Sequence, residues 1–246
     1  MSMSDKFLLK AGVLAAGRGE RLCGHSNQLK PLVKVGGQTL IERVLHSLSN
    51  AGATEVAVII NQDSVAVRDH VAATRWPFPL RWIIESTPSS MHSFLRLVET
   101  LAGDGNEGPF LLSTVDTVAS AWSYARFITE ARACQWAAVT LALTSPGNDE
   151  KPLLVRFSNE GARVAAIGEA AVPSNYATAG VYAVRSSILR EAEAARSDGL
   201  SALRTFLGRL FANGYPFAAI PIAGSIDVDR PADVEMAEAF LQSASA

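Results

Sequence analysis

Cysteine is scarce in this chain. Cys23 and Cys134 are the two in 246 residues, and neither stands in a Cys-x-x-Cys or Cys/His spacing. That argues against a disulfide-stapled fold and a thiolate zinc centre, and leaves two ordinary reduced thiols. Long apolar runs are missing too. No stretch approaches the ~18 residues that cross a bilayer, and the opening MSMSDKFLLK has too short an apolar run for a signal peptide. The expectation is a cytoplasmic protein with no membrane partner. Nor is there an excess of positive charge: 22 Lys and Arg face 24 Asp and Glu, a net charge of −2. Global attraction to nucleic acid is therefore not expected, and any basic site must be local. Internal repeats, low-complexity tracts and the hexad pattern of a left-handed β-helix are also absent.

What is present is a globular composition, 48% hydrophobic and 19% charged, long enough to bury a substantial core as one domain over 1–246. Strand and helix patterns alternate almost throughout. Leu9 to Leu14 lies within a short apolar strand, and residues 39–50 place Leu40, Ile41, Val44, Leu45 and Leu48 on one helical face. Residues 55–60 read as a strand, 61–70 as a capped helix, and 80–84 as a third strand. This spacing predicts a Rossmann-like α/β fold, with a mixed, mainly parallel sheet flanked by helices. Farther on, 110–116, 136–144, 176–184 and 215–221 read as strands. Helices are expected at 91–101, 119–133, 186–196, 200–212 and from Pro231 to about Leu241. A loop is expected over 146–150, and a hairpin joins 151–157 to 162–167.

The stretch around which the rest is arranged is LAAGRGERLCGHSNQLKPL, Leu14 to Leu32. Small residues at Ala15, Ala16, Gly17 and Gly19 let a ligand approach backbone N–H groups closely. Arg18, Arg21 and Lys30 add fixed cations to the same loop, which suits a polyphosphate. Cys23 lies inside it, either as a reactive thiol or as a bystander.

The string Leu14-Ala15-Ala16-Gly17-x-Gly19-x-Arg21-Leu22, followed by Lys30-Pro31-Leu32, resembles the signature of the nucleotidyltransferases, or sugar-nucleotide pyrophosphorylases. It departs at Glu20, where threonine is usual, and at Leu29, where proline is usual. The resemblance implies a short, GT-A-like form of that fold. Leu14, Ala15, Ala16, Gly17, Arg18 and Gly19 would wrap the triphosphate, with Arg21 and Lys30 as the catalytic cations.

Further along, the likeness is to position more than to letters. Ser90 and Ser93 fall where the family contacts base and ribose, although the family's glycines are absent and a helix cap explains them equally well. Asp116 ends an apolar strand where the family places a metal-binding Asp; it could also cap the next helix. Glu169 stands where an acceptor-binding Glu-Lys pair is usual, with Ala170 in place of the lysine. Gly180, in Thr178-Ala179-Gly180-Val181-Tyr182, matches a strand beside the acceptor, or is an incidental glycine. Asp227-Val228-Asp229-Arg230-Pro231 resembles the second acidic motif, with Asp227 expected ahead of Asp229 as a metal ligand and helix capping by Asp229 as the alternative.

Carboxylates and phosphates in one cleft require a divalent cation between them, and hard oxygen ligands favour Mg2+. The reaction implied is attack by an acceptor phosphate oxygen on the α-phosphate of a nucleoside triphosphate, with pyrophosphate leaving. The acceptor is a phosphorylated small molecule, a sugar 1-phosphate first, then phosphocholine-like or molybdopterin-type acceptors. Two other readings stand beside it. One is a non-catalytic sugar-nucleotide sensor on the same fold. The other is an NAD(P)-dependent oxidoreductase, which needs G-x-G-x-x-G where this chain has Leu22 as the last residue.

Overall fold

The computed structural model describes residues 8–24, 28–120, 122–147, 152–158 and 162–244. Its centre is a seven-stranded sheet of β1 (Leu9–Leu14), β2 (Ala53–Ile60), β3 (Leu80–Ile84), β4 (Phe110–Thr114), β5 (Val139–Thr144), β6 (Ala177–Val184) and β7 (Phe217–Pro221), in the order β7-β5-β6-β4-β1-β2-β3. Neighbours pair in parallel except at β6, which is antiparallel to both β4 and β5. The sheet is thus mixed and mainly parallel, as the alternation of patterns predicts.

Eight α-helices are described: α1 (Glu20–Cys23), α2 (Leu40–Asn50), α3 (Val65–Ala72), α4 (Ser90–Ala102), α5 (Ser123–Ala133), α6 (Ala192–Ser197), α7 (Leu203–Ala212) and α8 (Pro231–Ala244). The sheet's period of two divides its side chains between two cores. Val56, Val58 and Ile60 of β2 join Ile41 and Leu45 of α2, Val71 of α3, Phe127 of α5 and Ala237 of α8. Ala57 and Ile59 face the other way, toward Met91, Phe94 and Leu97 of α4, Ala195 of α6 and Phe206 of α7. Strands covered on both faces are therefore mostly apolar, with Ser113 and Thr140 as buried polar exceptions. Thr39 caps α2 in a reciprocal box: its hydroxyl accepts from Glu42 N, while Glu42 accepts from Thr39 N at 2.9 Å. No described helix is long and apolar enough to cross a membrane.

Several boundaries differ from expectation for tertiary reasons. The helix expected at 119–133 begins at Ser123, because Thr117–Ala119 instead pairs antiparallel with Ser225–Asp227. The strand expected from Trp136 begins at Val139, after a turn closed by Ala137 N donating to Cys134 O. The helix expected at 186–196 is a 3-10 turn over Ser186–Glu191 followed by α6. The hairpin forms as Val155–Phe157 with Val164–Ile167. Its tip at 159–161, Lys151 and the loop residues 148–150 lie outside the described residues.

The chain runs from β1 outward to β3 and then returns to the other side of β1 as β4. This reversal leaves a crevice beyond the carboxyl ends of β1 and β4, the place where ligands bind in such sheets. Leu14 pairs with Thr114 there, and Val115 N donates to Leu14 O at 3.0 Å. The glycine-rich loop and Asp116 therefore emerge side by side.

Candidate active site

The crevice opens into a cleft of about 510 Å3. Leu14, Ala16, Gly17, Arg18, Gly19, Glu20 and Arg21 form one wall. The amides of Ala16, Gly17, Arg18 and Gly19 have no hydrogen-bond partner among the described residues, so they remain as donors for an anion. Ala15 differs from the expectation of a triphosphate contact. Its side chain is fully buried and its N–H donates to Ile59 O at 2.9 Å. It anchors the loop to β2 and has no donor left for phosphate.

Gly19 holds φ +66°, and a Cβ on it would stand 2.5 Å from Lys30 Cβ. The glycine therefore serves two needs: a left-handed backbone and room for the lysine stem. Gly19→Ala is expected to lower stability by ~1–2 kcal/mol, read as a reduced urea midpoint, and to weaken turnover by moving Lys30.

Lys30 is 6% exposed and its ammonium joins two distant segments. Nζ lies 2.5 Å from Asp116 Oδ2 and 2.6 Å from Asp229 Oδ1. Asp229 Oδ2 also receives Arg21 Nη2 at 2.8 Å. Burial works against the charge on Lys30, yet the two carboxylates outweigh it and hold the ammonium above its ordinary pKa. At Asp116 burial likewise opposes ionisation and is overcome, by Lys30 first and then by a Thr114 hydrogen bond, so its carboxyl lies below the usual range. Asp116 therefore favours folding above about pH 4 and loses that contribution in acid, while Lys30 contributes below about pH 10.4 and loses it in base. Cys23 is partly buried and packs against the core, and that burial raises its thiol despite the pull of Lys30.

Asp229 reaches Lys30 and Arg21 because a different residue does the capping. Asp233 accepts from Asp229 N at 3.0 Å and from Arg230 N at 2.8 Å, pinning the entry to α8 and leaving the Asp229 carboxylate free to turn into the cleft. Asp227, expected ahead of it, is exposed and receives the Thr117 hydroxyl at 3.1 Å. Among the described residues no three acidic, His or Cys side chains form a self-sufficient metal site.

Ser90 and Ser93 both line the cleft but are also structurally occupied. Ser90 Oγ accepts from Leu203 N at 3.0 Å, and Ser93 Oγ meets the Thr87 hydroxyl at 2.5 Å. Thr87 and Ser89 line the same cleft; in the polar stretch 85–94 the sequence offers Ser89 only as a helix cap and gives Thr87 no role. Glu169 is exposed on the 3-10 turn Gly168–Ala171 and is not among the residues lining the cleft. Gly180 is buried in β6 and does not line it either: the space of its missing side chain is taken by the Thr117 and Thr114 hydroxyls. That packing is the observed reason for glycine at this position.

A mainly parallel sheet with an amide-lined loop at its switch point defines the class as an α/β fold of the nucleotide-binding type. Residues 11–210 match the family model of the MobA-like NTP transferase domain, and the chain belongs to that family. It is 29% identical over 234 residues to a bifunctional IPC transferase and DIPP synthase of Rubrobacter xylanophilus, covering 93% of this chain and 51% of that protein. It is 32% identical over 135 residues to the bifunctional protein GlmU of Anaeromyxobacter sp., covering 54% of this chain and 27% of that one. The chain thus spans about half of the first relative's length and about a quarter of the second's. Its fold is that of the inositol-1-phosphate CTP transferase from T. maritima, with a TM-score of 0.76 at 18% identity, over 94% of this chain and 95% of that one. It also superposes on a UDP-glucose pyrophosphorylase complexed with UDP-glucose, with a TM-score of 0.78 at 16% identity, over 95% and 98% of the two chains.

Proposed function

We propose that this domain transfers a nucleoside monophosphate from a nucleoside triphosphate to a phosphorylated small-molecule acceptor, releasing pyrophosphate. The observation that carries the reading is the Lys30 ammonium held between Asp116 and Asp229 at the mouth of the loop whose amides are unpaired. The acceptor is assigned to the sugar and polyol phosphates, in keeping with the inositol-1-phosphate named for one structural neighbour and the UDP-glucose for another.

In this mechanism the amides of residues 16–19 and the Arg18 and Arg21 side chains bind the triphosphate. The acceptor phosphate is already ionised, so no protein base is required. Its oxygen forms a bond to the α-phosphorus while the bond from that phosphorus to the bridging oxygen breaks, and pyrophosphate carries away the electron pair. Lys30 moves from neutralising carboxylates to neutralising phosphate charge, which is where a preorganised cation contributes most. The residues present fit Mg2+: Asp116 with Asp229 or Asp227 supplies one or two carboxylates, and substrate phosphates complete the shell, which is how this ion is commonly held. When bound, Mg2+ lowers repulsion between the two reacting anions.

The test is pyrophosphate release measured with each common triphosphate against a panel of sugar and polyol monophosphates. One pairing is expected to give turnover that falls to background in EDTA and returns with added Mg2+. Tight binding of a sugar nucleotide with no pyrophosphate from any pairing would favour the sensor reading instead.

A further inference from the structure

The Asp229 carboxylate already holds two of the cations that a triphosphate would need. One oxygen accepts from Arg21 Nη2 at 2.8 Å and the other from Lys30 Nζ at 2.6 Å, across 208 and 199 residues of sequence. All three side chains line the cleft beside Gly17, Arg18 and Gly19. A carboxylate whose two oxygens each meet a cation imitates two oxygens of a phosphate group. Its backbone is fixed from the α8 side, because Asp233 accepts from Asp229 N and Arg230 N.

The two halves of this contact differ in strength. Arg21 is mostly exposed, so its pair with Asp229 is weak by itself. Lys30 is buried, and water screens its pairing with Asp229 far less. Asp229 thus holds Lys30 firmly and gathers Arg21 beside it. A phosphate entering alone would have to displace that carboxylate and then lie next to it, with like charges a few ångströms apart. Once Asp229 ligates a divalent cation instead, both side chains are released to the phosphates.

We propose that Asp229 stands in for phosphate in the ligand-free protein. It is a positioning residue that acts through Arg21 and Lys30, and it makes phosphate binding depend on the divalent cation that draws it away. The occupation of the two cations stands on the geometry alone; its consequence for substrate rests on the nucleotidyl-transfer reading.

The experiment is binding of inorganic tripolyphosphate by titration calorimetry, in EDTA and then in excess Mg2+. The proteins are the unaltered chain, Asp229→Asn, Glu20→Gln, Arg21→Gln and the double variant of Arg21→Gln with Asp229→Asn. In EDTA, Asp229→Asn should bind about tenfold or more tightly than the unaltered protein, equivalent to cations that are open in about a tenth of ligand-free molecules. Glu20 lines the same wall but pairs with neither cation, so Glu20→Gln should gain less than about threefold. In the Arg21→Gln background the gain from Asp229→Asn should shrink by about threefold or more, because one of the two cations is no longer there to be freed. Mg2+ should improve binding by a smaller factor in Asp229→Asn than in the unaltered protein. Equal metal-free affinity of the unaltered protein and Asp229→Asn, a gain matched by Glu20→Gln, a gain undiminished in the Arg21→Gln background, or an equal Mg2+ factor overturns the proposal and leaves the phosphate site standing. No binding by any of the proteins, with or without Mg2+, overturns the phosphate site and the proposal together. Asp229→Ser serves if the asparagine variant does not fold; failure of both to fold assigns Asp229 to the stability of the fold and also overturns it.

Discussion

Lys30→Met should cut turnover by about a hundredfold or more, the usual loss when a preorganised charge on a transferring phosphate is removed. It should also destabilise the fold. Stripping the partner from a fully buried ion pair costs ~3–5 kcal/mol. Here the Asp229 side chain is 37% exposed and water screens it, so a loss nearer ~2 kcal/mol is expected. The pH dependence supplies a sharper sign. In the unaltered protein the depressed Asp116 pKa and the raised Lys30 pKa leave this pair fully charged from about pH 5 to pH 10, and its contribution is flat there. Without Lys30 the burial of Asp116 is no longer overcome, so its folded pKa rises above its unfolded value. Stability then increases as pH falls toward 5, the opposite of a depressed carboxylate. Urea midpoints at pH 5 and pH 8 measure this directly. A variant whose midpoint stays level between them would remove the Lys30–Asp116 interaction from the account, and undiminished turnover would remove Lys30 from the reaction.

Asp116→Asn keeps the shape and removes the charge. It is expected to lower turnover by about a hundredfold and to raise the Mg2+ concentration for half-maximal rate by about tenfold or more, the equivalent of ~1.4 kcal/mol of lost cation binding. Asp229→Asn should be milder in stability, because its side chain is 37% exposed against 22% for Asp116 and Lys30 would retain Asp116. Rates against Mg2+ concentration for the two variants check the order. An Asp116→Asn enzyme with the same rate and Mg2+ requirement as the unaltered one would take this carboxylate out of the site.

The parts of the fold that could be read in advance are those whose cause is local. Leu40, Ile41, Val44, Leu45 and Leu48 mark α2 by their helical spacing, and Leu80–Ile84 is an apolar strand bounded by turns. The loop from Ala16 to Lys30 announces itself because small residues and cations coincide. What escaped depends on partners far along the chain. Nothing local in Thr117–Ala119 marks a strand; it becomes one by meeting Ser225–Asp227. As a letter Asp229 reads as a cap, and only the geometry of α8 gives that work to Asp233 and turns Asp229 toward Arg21 and Lys30. Gly180 was legible as a glycine with a purpose, but the two threonine hydroxyls that need its space lie more than sixty positions earlier.

The reversed direction of β6 has a consequence for how the protein is born. β5 has only β6 and β7 beside it in the sheet, and both are encoded later. While the nascent chain leaves the ribosome, residues 139–144 therefore have no strand to join until 177–184 emerge, and β4 keeps a bare edge through the same interval, open to mispairing. Asp229 is translated later still. A chain cut short before Asp229 would carry its glycine-rich loop intact, with Lys30 meeting Asp116 alone.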